Sequence, residues 1–462
     1  MPRLTGGQAV VASLRAHGVD TVFGIPGVHT LPLYDALLET PEIRHVLARH
    51  EQGVGFMADG YARVSGKVGV ASVITGPGVT NIATPVADAY SDDVPLLVIA
   101  SSLPRASKGR QRGELHEVKD QHGVMESLAG WTRVIEHIEE IPGALNDAFR
   151  ALSAGRPRGA YIEIPLDLLM LEAELGIPQP YAVAPIEPRA VEIESAAKLL
   201  REAKRPLIIA GNGVTASGAN MQLERLAELL GAPVMLDGKS HDALPTDHPL
   251  AFPVSGYAYT REMRALIADS DVALVIDSRF GAGRPGFDKL QLPAAIIQVD
   301  REPSEVGRLF PVAQGIVGDA RLVLNALLAA LQDDRRERVS RAEEVAQIKR
   351  TLQERMRQTY GNNLALLQVV REATPREGII VADMTRLGYA SNEYLTLYEP
   401  RTYIHPAELC PIGCGLPLAL GAKVAAPDKP VAALCGDGGF LLNAGELATA
   451  VQEQLDVVIV VF

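Results

Sequence analysis

Cysteine is scarce: Cys410, Cys414 and Cys435 are the only three in 462 residues. That excludes a disulfide framework and predicts a reducing, cytoplasmic setting. Aromatic residues make up 5% of the chain, with one tryptophan, too few for base-stacking platforms. Positive charge is not in excess. The formal net charge is −12 and the pI about 5.4, which argues against a nucleic-acid surface. No apolar run reaches the ~18–20 residues of a membrane span. Met1 to Gly6 lacks the apolar core of a secretory signal, and no short tandem repeat is visible. What is present is an ordinary globular balance, 47% hydrophobic and 22% charged, with ample core. At about 150 residues per domain, three domains are expected.

The patterning agrees. Thr5 can cap a helix carrying Val10, Val11 and Leu14, with Gly18 as the stop. Apolar runs at Thr21–Gly24, Val68–Ile74, Leu96–Ala100 and Ala160–Ile164 alternate with helical patterns. Strands apolar on both faces and separated by helices predict a parallel sheet covered on both sides. Residues 1–172 form the first unit, and a Pro-containing stretch from Gly176 to Pro188 reads as a linker. The rhythm resumes over 190–332, through Pro206–Ala210, Val272–Ile276 and Ala295–Val299. A charge-dense helical connector follows over 333–361. A third unit, 362–462, has strands at Gly378–Ala382 and Pro430–Leu434. The fold class is α/β, with three doubly wound parallel-sheet domains.

Three stretches carry chemistry. The first runs from Arg49 to Arg63 and places Glu51 at a strand-to-helix junction, followed by glycines that admit a close neighbour. Buried there, a carboxyl group has a raised pKa and can exchange a proton with a ring nitrogen. Equally, Glu51 suits a helix N-terminus. The second, Thr75-Gly76-Pro77-Gly78-Val79-Thr80-Asn81, is a loop at the carboxyl edge of a sheet, where ligands bind, or an ordinary turn. The third is Gly436-Asp437-Gly438-Gly439-Phe440, then a helical run from Asn443 to Gln454 and a strand from Val457 to Phe462. Its backbone N–H groups suit a diphosphate, and Asp437 suits a divalent cation. Gly-Asp-Gly is also common in plain turns.

Together these stretches, with Phe23–Gly27, Gly155–Pro165, Ile297–Asp300 and Gly413–Ala422, resemble the thiamine diphosphate-dependent enzymes of the acetolactate synthase and 2-oxo acid decarboxylase type. The resemblance implies pyrimidine-binding (1–172), central (190–332) and diphosphate-binding (362–462) domains. It implies that Glu51 protonates the aminopyrimidine, so that the cofactor attacks a 2-oxo acid, releases carbon dioxide and holds the electrons as an enamine. Thr75, Gly76 and Asn81 belong to the cofactor-side loop. Ile412 matches the wedge that folds the cofactor, and the Cys410 carbonyl matches the acceptor for its amino group. Asp437 matches a Mg²⁺ ligand, and Gly436, Gly438 and Gly439 hold the diphosphate. The second metal ligand is expected just beyond Phe462, leaving the third domain incomplete. A truncated, non-catalytic relative is therefore the alternative of another class. A homodimer or homotetramer is implied, with Glu51 and Asp437 meeting across an interface between chains.

Within that family, Gly27-Val28-His29 and Leu115-His116-Glu117-Val118-Lys119-Asp120-Gln121 look like the 5-guanidino-2-oxopentanoate decarboxylase branch. Glu114, Glu117 and Asp120 suit a guanidinium tail, and His29 and His116 can relay protons. Alternatively the loop is merely solvated and the histidines pack locally. An acetolactate synthase-type carboligase acting on pyruvate is the other enzymatic reading. The flavin-side segment is replaced by Ala251–Tyr257, which argues against FAD. Cys410 and Cys414 lack companion zinc ligands. Pro233 occupies the position where Gly238-Lys239-Ser240 would need the leading glycine of a phosphate loop.

Overall fold

The computed structural model describes residues 1–254, 259–334, 336 and 338–462. Ser255, Gly256 and Tyr257 of the flavin-side segment lie outside the described residues. The chain forms two compact units, residues 1–183 with 408–462, and residues 184–407.

The first unit opens as its sequence dictates. Thr5 Oγ1 accepts from Gln8 N at 3.1 Å, and Gln8 Oε1 accepts from Thr5 N at 3.0 Å. This reciprocal cap starts the helix Gly6–Ala16, which buries Ala9, Val10, Val11 and Leu14. A six-stranded parallel sheet follows, in the spatial order Arg44–Leu47, Thr21–Gly24, Gly69–Val73, Leu96–Ser102, Ala160–Pro165, Trp131–Val134. The chain reverses its direction of winding between Thr21–Gly24 and Gly69–Val73. The loops at the carboxyl ends of these two strands therefore splay apart and leave a crevice. The returning segment adds the helix Gly415–Ala425 and the parallel pair Val431–Cys435 and Val458–Val461.

The second unit has its own six-stranded parallel sheet, ordered Ala251–Pro253, Val234–Leu236, Pro206–Ala210, Val272–Ile276, Ala295–Asp300, Gln314–Val317. It also holds the parallel pair Ile379–Ala382 and Tyr403–Ile404. The α/β class with parallel sheets is thus as expected. An antiparallel ribbon of Arg3–Thr5 with Glu172–Glu174 is the exception.

Three local expectations change. The connector helix spans Ala342–Tyr360 instead of starting at Asp333; Asp334 instead accepts from Arg336 N and the Arg338 guanidinium. Part of the Thr75 loop, Pro77–Asn81, is a short helix entered through its proline. The helix expected from Asn443 begins earlier, at Asp437, stops at Leu442 and resumes over Leu447–Gln452. Asn443 interrupts it, with its side chain bonded to Gly413 O and to Gln52.

Candidate active site

The crevice of the first sheet collects the expected residues. His29 and Thr30 follow the strand Thr21–Gly24, and Thr75 and Gly76 follow Gly69–Val73. His29 is buried, and its ring centroid lies 5.4 Å from that of His116. Burial, and then the neighbouring His116, hold the His29 pKa below the usual imidazole value. Among the described residues, neither Nδ1 has a hydrogen-bond partner. His116 has φ +66, and its carbonyl lies 2.3 Å from where a Cβ on Gly76 would sit. Gly76 itself has φ +70, so glycine is required there for both reasons.

Gln121 organises this loop and was not singled out in the sequence as a site residue. Its Oε1 accepts from Thr75 Oγ1 at 2.6 Å and Gly76 N at 2.7 Å. Its Nε2 donates to Ser101 O and Tyr161 Oη. Tyr161 Oη in turn donates to Glu163, which Lys108 contacts at 2.6 Å. The Thr75 and Gly76 donors are therefore engaged inside the protein. Glutamine fits because it offers two acceptor lone pairs and two donors at one buried point. No sequence spacing reveals that convergence.

Glu51 begins the helix Glu51–Ser65, capped by His50 Nδ1 accepting from Gln52 N at 3.0 Å. It is half-buried, and its Oε2 accepts from Asn81 Nδ2 at 2.9 Å. The glycines that follow do admit close neighbours. A Cβ at Gly53 would lie 2.3 Å from Glu446 Oε1, at Gly55 2.5 Å from Pro85, and at Gly60 2.2 Å from Leu418 O. Each mid-helix glycine costs roughly 1 kcal/mol in propensity, and here the return is backbone-close packing.

On the diphosphate side, Asp437 and Gly438 are exposed at the turn after Val431–Cys435, and Gly439 is buried. Among the described residues, a Cβ on Gly438 would meet nothing within 4 Å, so the turn is open on that side. Ile412 is 51% exposed. Cys410 has φ +55, and Gly413 has φ +87. Burial, with Asp92 and Asp88 beside it, pushes the Cys410 thiol pKa up. At neutral pH it is a protonated thiol, so its contribution at this site is its backbone. Asn443 Nδ2 reaches Gln52 Oε1 at 3.0 Å and Gly413 O at 2.7 Å. Within the first unit, the segment after the Gly436 turn is thus tied to the helix that carries Glu51. An open glycine turn with an exposed carboxylate, an exposed apolar Ile412 and a hydrogen-bonded Glu51 fit a cofactor with an anionic tail and a basic ring.

Two other candidates read differently. Of the acidic loop, Glu117 accepts from Gly113 N and Glu114 N, and Asp120 caps Gln121–Glu126 through Gly123 N. Two of its three carboxylates thus support their own loop. Among the described residues, Glu224, Glu228 and His248 cluster with metal-ligand spacing in the second unit. There His248 Nδ1 accepts from Leu250 N, which leaves the ring proton on Nε2 facing Glu228 at 3.6 Å. That arrangement does not suit a metal ion, since an imidazole ligates through an unprotonated nitrogen. Among the described residues, no helix is long and apolar enough to cross a membrane.

Comparisons with known proteins agree with this layout. Residues 4–124 match the thiamine pyrophosphate enzyme N-terminal TPP-binding domain, 193–327 the central domain, and 383–462 the C-terminal TPP-binding domain. A probable 2-ketoarginine decarboxylase (AruI) from Pseudomonas aeruginosa is 41% identical over 99% of this chain and 81% of its own length. The acetolactate synthase large subunit of Corynebacterium glutamicum is 35% identical over 98% of this chain and 73% of its own. A probable acetolactate synthase large subunit of Methanocaldococcus jannaschii is 33% identical over 99% and 80%. With all three domain types matched in order, and an open glycine turn and Glu51 held in one unit, the chain belongs to the thiamine pyrophosphate (thiamine diphosphate)-dependent enzyme family, among its 2-oxo acid decarboxylases and acetolactate synthases.

Proposed function

We propose that the 2-oxo acid decarboxylated by this enzyme is 5-guanidino-2-oxopentanoate, and that its product is the free aldehyde. The observation that carries this reading is the pairing of buried His29 with half-buried His116, both Nδ1 atoms being unpartnered among the described residues. When bound, thiamine diphosphate supplies the electron sink for the leaving carboxylate. The protein's tasks are then to position and to move protons. Glu51, held by Asn81, would exchange a proton with the pyrimidine ring. The Cys410 carbonyl would accept from the amino group, and Ile412 would pack against the cofactor. Gly436, Gly438 and Gly439 would hold the diphosphate, with Asp437 as a ligand of its Mg²⁺. Loss of carbon dioxide leaves the former keto carbon one proton short of the aldehyde. The histidine pair delivers that proton, which ends the reaction before a second carbonyl compound can add. The substrate assignment is further supported by the relative described as a probable 2-ketoarginine decarboxylase and by Glu114, the loop carboxylate not used to brace its own turn.

Carbon dioxide release from 5-guanidino-2-oxopentanoate, pyruvate, benzoylformate and glyoxylate tests the substrate. The guanidino acid should be preferred, and preference for pyruvate with acetolactate formation overturns the assignment in favour of a carboligase. Glu51→Gln should lower turnover by at least ~100-fold. We further propose a homo-oligomer in which Glu51 of one copy serves the Asp437 turn of another. Inactive Glu51→Gln and Asp437→Asn proteins, unfolded and refolded together, should then regain part of the activity; no regain would refute shared sites. In the second unit, the loops where winding reverses, Gly211–Gly213 and Asp277–Ser278, meet so closely that a Cβ on Gly213 would strike the Asp277 carboxylate. The close approach leaves little room for a flavin diphosphate at this crevice, which supports a flavin-free enzyme.

A further inference from the structure

We propose that Glu446, in the segment after the diphosphate turn of the same chain, is a positioning residue for Glu51. The inference rests on the role given to Glu51 above. Glu446 is fully buried, yet its carboxylate serves backbone of another part of the unit. Oε1 accepts from Arg49 N at 3.0 Å and His50 N at 3.0 Å, and Oε2 accepts from Arg49 N at 3.2 Å and Thr449 Oγ1 at 2.6 Å. The two amides immediately precede Glu51. The space for this carboxylate exists because residue 53 is glycine, whose Cβ would lie 2.3 Å from Oε1. A negative group at the start of the Glu51 helix also faces the positive end of its dipole.

The grip has two jaws. Glu446 holds the backbone before Glu51, and Asn443 holds the side chain of Gln52 just after it. Asn443 also binds Gly413 O, beside Ile412. Both jaws come from the segment that directly follows the Gly436 turn. Hydrogen bonds to an ionised carboxylate are about twice as strong as neutral ones, and buried ones hold geometry tightly. A displacement of residues 437–446 is therefore transmitted to Glu51 through short, directional contacts.

The full-length protein is the material for the test, with variants Glu446→Ala, Glu446→Gln, Asn443→Ala and Glu51→Gln. Amide hydrogen–deuterium exchange of the cofactor-free protein should accelerate at Arg49 and His50 by at least ~10-fold in Glu446→Ala, and less in Glu446→Gln, which keeps one acceptor oxygen. With thiamine diphosphate and Mg²⁺ bound, proton exchange at the thiazolium carbon should slow by ~10–100-fold in Glu446→Ala. Cofactor affinity by calorimetry should change far less. If Glu446→Ala does not fold, Glu446→Gln and Asn443→Ala carry the test through the same two readouts. Wild-type amide protection and wild-type thiazolium exchange in the folded variants overturn the proposal. Normal thiazolium exchange in Glu51→Gln overturns the role of Glu51 itself, and this one with it, whereas a defect in Glu51→Gln alone overturns only the grip.

Discussion

Replacing Gly60 by alanine sets two well-measured effects against each other. Alanine gains about 1 kcal/mol of helix propensity over glycine. The new Cβ would lie 2.2 Å from Leu418 O, and a Cβ at Gly421 would lie 1.9 Å from Met57 O. Relaxed carbon–oxygen contacts lie at about 3.3–3.6 Å, so the helices Glu51–Ser65 and Gly415–Ala425 must part by roughly 1 Å. Both backbones are helical and cannot swing aside as a side chain would. Parting also loosens Met57, Ala58, Tyr61, Leu416 and Leu420, which share one core. Overpacking of this kind costs about 1–3 kcal/mol, so the packing term wins. We expect net destabilisation of up to about 2 kcal/mol for either substitution, and less than the sum for the pair, because the first methyl opens room for the second. Gly143→Ala is the control: it lies in the helix Glu140–Ser153 with nothing within 4 Å of its Cβ, and should stabilise by about 0.5–1 kcal/mol. Denaturant midpoints at constant slope report all three. Because Glu51 begins the displaced helix, Gly60→Ala should also lower turnover by about tenfold or more. Stabilisation of Gly60→Ala to the extent of Gly143→Ala would refute the reasoning.

Acid stability gives a signed test in the second unit. Burial lowers the His241 pKa to about 4 and raises the Asp242 pKa to about 6. As pH falls from 6.5 towards 4, the unfolded chain protonates His241 and the folded protein does not, so stability falls. As pH rises from 3.8 towards 6, the unfolded chain ionises Asp242 and the folded protein does not, so stability falls in the opposite direction. Each is worth about 3 kcal/mol at roughly 1.4 kcal/mol per unit, and they largely cancel in wild type. Asp242→Asn should expose the loss at acid pH, and His241→Gln should reverse the slope; denaturation curves between pH 4 and 6.5 with unchanged slopes count against it. Gln121→Ala strands Gly76 N and Ser101 O, and should cost about 2–4 kcal/mol of stability by the same denaturation assay. Ile412→Ala, at a half-exposed position, should leave stability within about 1 kcal/mol while weakening cofactor-dependent turnover; a large drop in the denaturation midpoint would mark it as a packing residue.

The order of apolar runs and turns was enough to determine the class of fold. Strands such as Leu96–Ser102 and Val272–Ile276, apolar on both faces, have one stable setting: a parallel sheet between helices. Thr5 announced its cap, and the glycines after Glu51 announced close neighbours, because both are local rules of backbone geometry. The same sequence named the Glu51 and Gly436 stretches. It did not say that Gln121 gathers the donors of Thr75 and Gly76. Nor did it show that Asn443 breaks its helix to reach Gly413 and Gln52, or that the space beside Gly53 belongs to Glu446. Those are contacts between residues distant in the chain. Hydrophobic period and turn chemistry describe neighbours along the backbone, whereas a buried polar group is satisfied by whatever the fold carries to it. Which residues bear the chemistry was legible in one dimension, and which residues hold them in place was decided only in three.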